Sequence, residues 1–122
     1  MTSLEPIEPK YANGVNFNIR DHEKFKLGMQ LLRESTSGTP MFAADNIITW
    51  NRNLSFLRED YFMNFLDDND TTAIEKSCIW RLYILIYFAE ACRHLDGDYV
   101  ELGCHKGTTA KSVSDRIDFK AL

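Results

Sequence analysis

Clustered basic residues are missing from this chain. Its 14 Lys and Arg are outnumbered by 18 Asp and Glu, leaving a formal net charge of −4. Phosphate backbones and anionic headgroups are held by grouped Lys and Arg, so neither nucleic acid nor a charged membrane surface is an expected partner. Cysteine is scarce as well. Cys78, Cys92 and Cys104 form no C-x-x-C pair, and an odd count leaves one thiol unpaired in any scheme within the chain. A disulfide scaffold is thereby disfavoured; a reducing cytoplasm, with buried structural thiols, is the expectation. His94 and His105 lie close in sequence to two of these cysteines, yet the paired spacing of a zinc site is absent. The opening MTSLEPIEPKYANG has acids and two prolines where a secretory leader needs a basic start and an apolar run. An extended or mobile arm is expected there instead. No apolar run reaches the roughly 20 residues of a bilayer crossing, because Arg81 and Glu90 interrupt the longest one.

What is present suits a globular domain: 44% hydrophobic against 26% charged residues, in 122 positions that can bury a core. A first helix is predicted over about Asp21–Glu34. Asp21 is a suitable N-cap, and Phe25, Met29 and Leu32, with Leu31 alongside, form one apolar stripe. Ser35–Pro40, STSGTP, breaks that pattern. The text is apolar again from Met41 to Trp50, and Leu54–Leu66 reads as a further helix rich in Phe56, Leu57, Phe62, Phe65 and Leu66. With Trp50, Tyr61 and Met63, this aromatic density fits an ordinary small core or a surface that covers something larger. Asp67–Thr72, DDNDTT, is a solvated acidic loop without the glycine and terminal glutamate of a calcium loop. Thr72 and Glu75 then make a capping box at the start of a long helix, about Ala73–His94. That helix is so apolar that burial on most sides is expected.

The densest signal is Asp96–Ser112, DGDYVELGCHKGTTAKS. Tyr99, Val100 and Leu102 read as a short buried strand, and the glycines permit a sharp exit into a helix over Lys106–Arg116. Such a strand–turn–helix is a ligand site. Backbone can approach a ligand at Gly103 and Gly107, while Thr108 and Thr109 and the amides at the helix start can meet a carboxylate or phosphate. Glu101 adds a negative charge at the same point, which suits an ammonium or a ribose hydroxyl. The alternative is a tight turn without ligand, in which Glu101 and the threonines merely satisfy helix amides.

The segment ELGCHKGTT resembles motif I of the class I S-adenosylmethionine (SAM) dependent methyltransferases in its E-x-G-x-x-x-G form. Thr71–Asp98 is similar to the stretch before motif I in the macrocin (TylF-like) O-methyltransferases. The resemblance implies an α/β, Rossmann-like fold, with residues 1–70 as arm and helical cap and 71–122 as an incomplete start of the SAM-binding domain. It implies O-methylation of a sugar or small-metabolite hydroxyl. Glu101 and Gly103 would line the methionine and ribose side of SAM, with His105 packing nearby. Gly107 would close the turn, Thr109 would hydrogen-bond the methionine carboxylate, and Thr72 would bring a hydroxyl to the cofactor. A divalent metal and a general base belong to later parts of the family fold, and no residue of this chain is assigned to either. The aromatic helices would form a lid or an oligomer face. The alternatives are a catalytically inactive fragment or a helical interaction module.

Overall fold

The computed structural model describes residues 14–36 and 39–118. The expected arm at 1–13 lies outside them, as does part of the STSGTP turn. The described chain mixes helices with one two-stranded antiparallel sheet, and it forms two compact units, one ending at Ser77 and the next beginning at Cys78.

In the first unit, helix α1 runs over His22–Ser35. Asp21 caps it by accepting the Lys24 amide at 3.0 Å, one of the donors that the first turn leaves without a helical partner. Met29 is buried with Met41 and Ala43, and Phe25 and Leu32 pack on the same cluster. Leu31, placed beside the stripe from the sequence, is 56% exposed. It sits off the buried face.

The Asp21 carboxyl is held below its ordinary value, chiefly by the Lys24 amide and then by the Lys24 side chain. A lowered folded value means that this stabilisation is complete above the unfolded value, about 3.9, and fades as pH falls through the folded one. Asp68 is shifted the same way. Asp21→Asn is therefore expected to soften the acid limb of the stability curve without abolishing it. Urea midpoints taken from about pH 6 down to about pH 2 check this.

The apolar text after Pro40 is a hairpin. Strand β1 (Met41–Ala44) pairs with β2 (Ile47–Trp50), Met41 opposite Trp50 and Ala44 opposite Ile47. Asp45 and Asn46 close it with φ of 52° and 59°, the left-handed pair that matches strand twist in a two-residue turn. All of β1 is buried, whereas in β2 Ile48 and Trp50 are exposed. The outer edge of β1 is occupied too: Gly14 donates to the Ala43 carbonyl at 3.0 Å, and Asp45 donates to that of Val15 at 2.8 Å. Asn16 and Asn46 clasp across the turn, with bonds of 2.9 and 2.7 Å to the amides of Asn46 and Phe17. Gly14 is fixed by its surroundings, because a Cβ there would lie 2.6 Å from both Ala44 Cβ and Ser77 Oγ. Gly14→Ala is expected to lift this segment off β1 and to lower stability by about 1–3 kcal/mol. Urea denaturation and faster amide exchange at Asp45 would report it.

The single helix read over Leu54–Leu66 is two pieces, a 3-10 turn at Ser55–Arg58 and helix α2 at Asp60–Asp67. Glu59 separates them with extended backbone, φ −69° and ψ 136°. Phe56, Leu57, Phe62 and Leu66 are buried, and the Phe56 and Phe62 rings meet edge to face at 5.5 Å. Phe56 and Phe62 are thus core, whereas Tyr61 and Phe65 are half-buried and Trp50 is exposed.

The long helix expected over Ala73–His94 is also divided. Helix α3 spans Ala73–Ser77, helix α4 spans Ile79–Ala91, and Cys78 between them has φ −79° and ψ 7°. Two bonds at Ser77, one local and one distant in sequence, accompany the break. The serine hydroxyl donates back to the Ala73 carbonyl at 2.6 Å and accepts the Val15 amide at 2.6 Å, and such back-bonding from a helical serine bends or ends a helix.

In the second unit α4 packs with helix α5 (Thr108–Arg116). Ile79, Leu82 and Ile86, spaced three and four apart, are buried on one face of α4, and Ile117 is buried just past α5. The expectation of burial on most sides of α4 is corrected: Tyr87 and Phe88 are each 59% exposed. So is the expected strand. Tyr99–Leu102 forms none, with Val100 and Leu102 at 77% and 91% exposure. A parallel strand needs hydrogen-bonded neighbours, and none of the described residues pairs with this stretch. Among the described residues, no helix is long and apolar enough to cross a membrane. Cys78 is half-buried, and Cys92 and Cys104 are exposed rather than buried.

Candidate functional site

Five of the six residues singled out from the sequence fall in one continuous piece of the second unit. The loop leaving α4 passes Glu101, turns through Gly103 and His105, and enters α5 at Gly107, with Thr109 in the first helical turn. Three alternate positions have left-handed backbone: Gly103 at φ 79°, His105 at 45° and Gly107 at 79°. Glycine adopts this region without penalty, and His105 is the one side-chain-bearing residue held there. The turn closes when the Gly107 amide donates to the Cys104 carbonyl at 2.6 Å. The Cys104 thiol faces back toward the Glu101 carbonyl, 3.3 Å away.

The start of α5 has the makings of an anion site. Gly107 is its N-cap and brings no side chain to the amides, and no acid occupies the first turn. A helix start of this kind offers N–H donors and partial positive charge. A Cβ built at Gly103 or at Gly107 would meet nothing within 4 Å. Open space therefore adjoins the backbone at both glycines.

Glu101 is the distinctive group. Its Oε2 is closed off from solvent and meets no hydrogen-bond donor among the described residues. A shielded carboxylate oxygen without a donor costs free energy, so such an atom marks a place where a donor fits. Val100 and Leu102, its neighbours, face outward.

Thr72 is different. It belongs to the first unit, where its amide donates to Glu75 Oε2 at 2.9 Å and its hydroxyl donates to the same oxygen at 2.6 Å. The Glu75 amide returns a bond to Thr72 Oγ1 at 3.3 Å. The capping box read from the sequence is formed, and the hydroxyl assigned to the cofactor is engaged in it. Just before it, Asp68 organises the acidic loop, accepting from the Asp70 amide at 3.0 Å and the Thr71 hydroxyl at 2.8 Å. Among the described residues, no three His, Cys, Asp or Glu side chains are grouped to hold a metal ion.

Tyr99 is not among the six. Read from the sequence as part of a buried strand, it is 41% exposed, and its hydroxyl donates to the Ala89 carbonyl at 2.8 Å. Its polar tip is what sets it apart from Val100 and Leu102 in the sequence. No family model, curated protein or solved structure matches the chain.

Proposed function

We propose that residues 101–109 seat S-adenosylmethionine in the manner of a Rossmann-like methyltransferase. The reading rests on the resemblance of ELGCHKGTT to motif I. The observation that carries it is the shielded, donorless Oε2 of Glu101 in the same loop as two left-handed glycines, the second of which starts α5 without a side-chain cap. These groups fit the two charges of a methionine moiety. Glu101 would accept from an ammonium or a ribose hydroxyl, while the N-terminus of α5, with Thr109, would donate to the carboxylate. Gly103 and Gly107 would keep the backbone close to the ligand, and His105 would pack beside it. Thr72 is assigned to its capping box.

When bound, SAM supplies a methyl group activated by its sulfonium, and the acceptor in this reading is a hydroxyl of a sugar or similar small metabolite. The contribution of this chain is alignment: it would hold the cofactor so that the methyl faces its acceptor in line. No residue here is assigned as base. Cytoplasmic residence, argued from composition and cysteine spacing, belongs to the same proposal.

A second reading has its own observation. Tyr87, Phe88, Leu95, Val100 and Leu102 are all exposed, at 59% or more, within one compact unit. Large apolar groups gathered on a surface mark contact with another protein, so a helical interaction module or homo-oligomer is the competing function. Calorimetric titration of the chain with SAM decides the first reading. Saturable one-to-one heat supports it, and flat heat with a preserved fold removes it in favour of the second.

A further inference from the structure

The inference concerns how Glu101 is held, and it rests on the cofactor reading just given. At the end of α4 the Cys92 amide bonds to the Phe88 carbonyl at 3.0 Å, but the next amide, Arg93, turns to Glu90 at 3.3 Å. The Ala89 carbonyl therefore lacks the amide that would have continued the helix. Tyr99, ten residues on, fills that place with its hydroxyl at 2.8 Å.

We infer that Tyr99 is a positioning residue: its bond to the last turn of α4 pins the chain two residues before Glu101 and so sets where that carboxylate sits. Three features carry this. Between Ala91 and Thr108 the chain has no helix or strand of its own, so its shape depends on such cross-links. The Tyr99 bond divides this long connection into two shorter loops, each with fewer conformations to lose. The second loop, 99–107, contains every proposed cofactor contact of the unit except Thr109. Gly97, at φ 143°, supplies the sharp bend that brings Tyr99 back to the helix. Glu101 then follows at a spacing of two. With its own ring tethered, Tyr99 leaves the Glu101 side chain little freedom to swing into water, consistent with the shielding of Oε2.

Tyr99→Phe removes the hydroxyl alone, and Tyr87→Phe removes the hydroxyl of an exposed tyrosine on α4 as a control. Three readings on the full chain test the proposal: thermal unfolding, amide exchange over 100–107, and the carbon-13 resonance of the Glu101 carboxylate. Tyr99→Phe is expected to speed exchange in the loop by about fivefold, the worth of one such hydrogen bond. It should also move the Glu101 resonance to the position of a solvated glutamate such as Glu23, with the melting of α4 nearly unchanged. The control should leave loop and resonance as they are. Weaker SAM binding by Tyr99→Phe would follow where the wild type binds. The proposal is overturned if Tyr99→Phe leaves both loop exchange and the Glu101 resonance unmoved, or if Tyr87→Phe shifts them equally. Failure of the wild type to bind SAM would instead strike the cofactor reading, since the exchange and carbon-13 results judge the tether in the free chain.

Discussion

Phe62→Ala should destabilise the first unit by about 3–5 kcal/mol, the usual cost of emptying a buried aromatic site. Phe62 is 1% exposed, and it meets Phe56 edge to face at 5.5 Å and Tyr61 at 5.3 Å. Truncation removes both ring contacts along with the buried area, and the neighbours cannot collapse without drawing α2 off the 3-10 turn it packs on. Urea denaturation read by tryptophan fluorescence checks the figure. Phe62→Leu, nearer in volume, should cost clearly less. A loss no larger than that of an exposed position such as Met63 would contradict this packing. Because Phe62 is core, its replacement says nothing of oligomer formation. Trp50, 51% exposed, is the residue whose surface bears on that question.

The second large effect is expected at Gly103. Its φ of 79° lies where a β-branched residue fits badly, at a cost of about 1–2 kcal/mol. A Cβ there would enter open space. Gly103→Val therefore has two consequences that can be separated. The unfolding midpoint should fall slightly, since the loop is exposed and can readjust. Binding of SAM should weaken by about a hundredfold or more, because the isopropyl group fills the approach to the backbone and the readjusted turn no longer presents Glu101. Calorimetric titration of wild type and variant, each shown folded by circular dichroism, gives the ratio. Equal affinities would remove Gly103 from the site.

Where the sequence carried its information locally, the reading was close. The Asp21 cap and the Thr72–Glu75 box depend on bonds between residues three apart, and both are formed. The helix after the glycine turn begins at Thr108, two residues from its expected start. The misreadings involve contacts distant in sequence or backbone states that periodicity does not encode. The division at Cys78 accompanies a bond from Val15 to Ser77, 62 positions away. The hairpin has a local signal that went unread, the Asp45–Asn46 pair between two apolar tetrads, because a continuous apolar run does not separate strand from helix. Tyr99–Leu102 looks like a strand in composition, but a strand exists only through its neighbours. The candidate site is legible to the same degree: the turn, its glycines and Glu101 fall in one loop, while the Thr72 hydroxyl is engaged in its cap and the role proposed for Tyr99 rests on its bond to Ala89.

The central claim is that the turn from Glu101 to Thr109 receives the methyl donor, and a nitrogen-15 resolved titration of the chain with SAM tests it most directly. Saturable shifts concentrated at the amides of Gly103, Gly107 and Thr109, with those of the β1–β2 hairpin unmoved, are the expected result. A spectrum that stays unchanged at millimolar SAM, or saturable shifts that spare this turn, would contradict it.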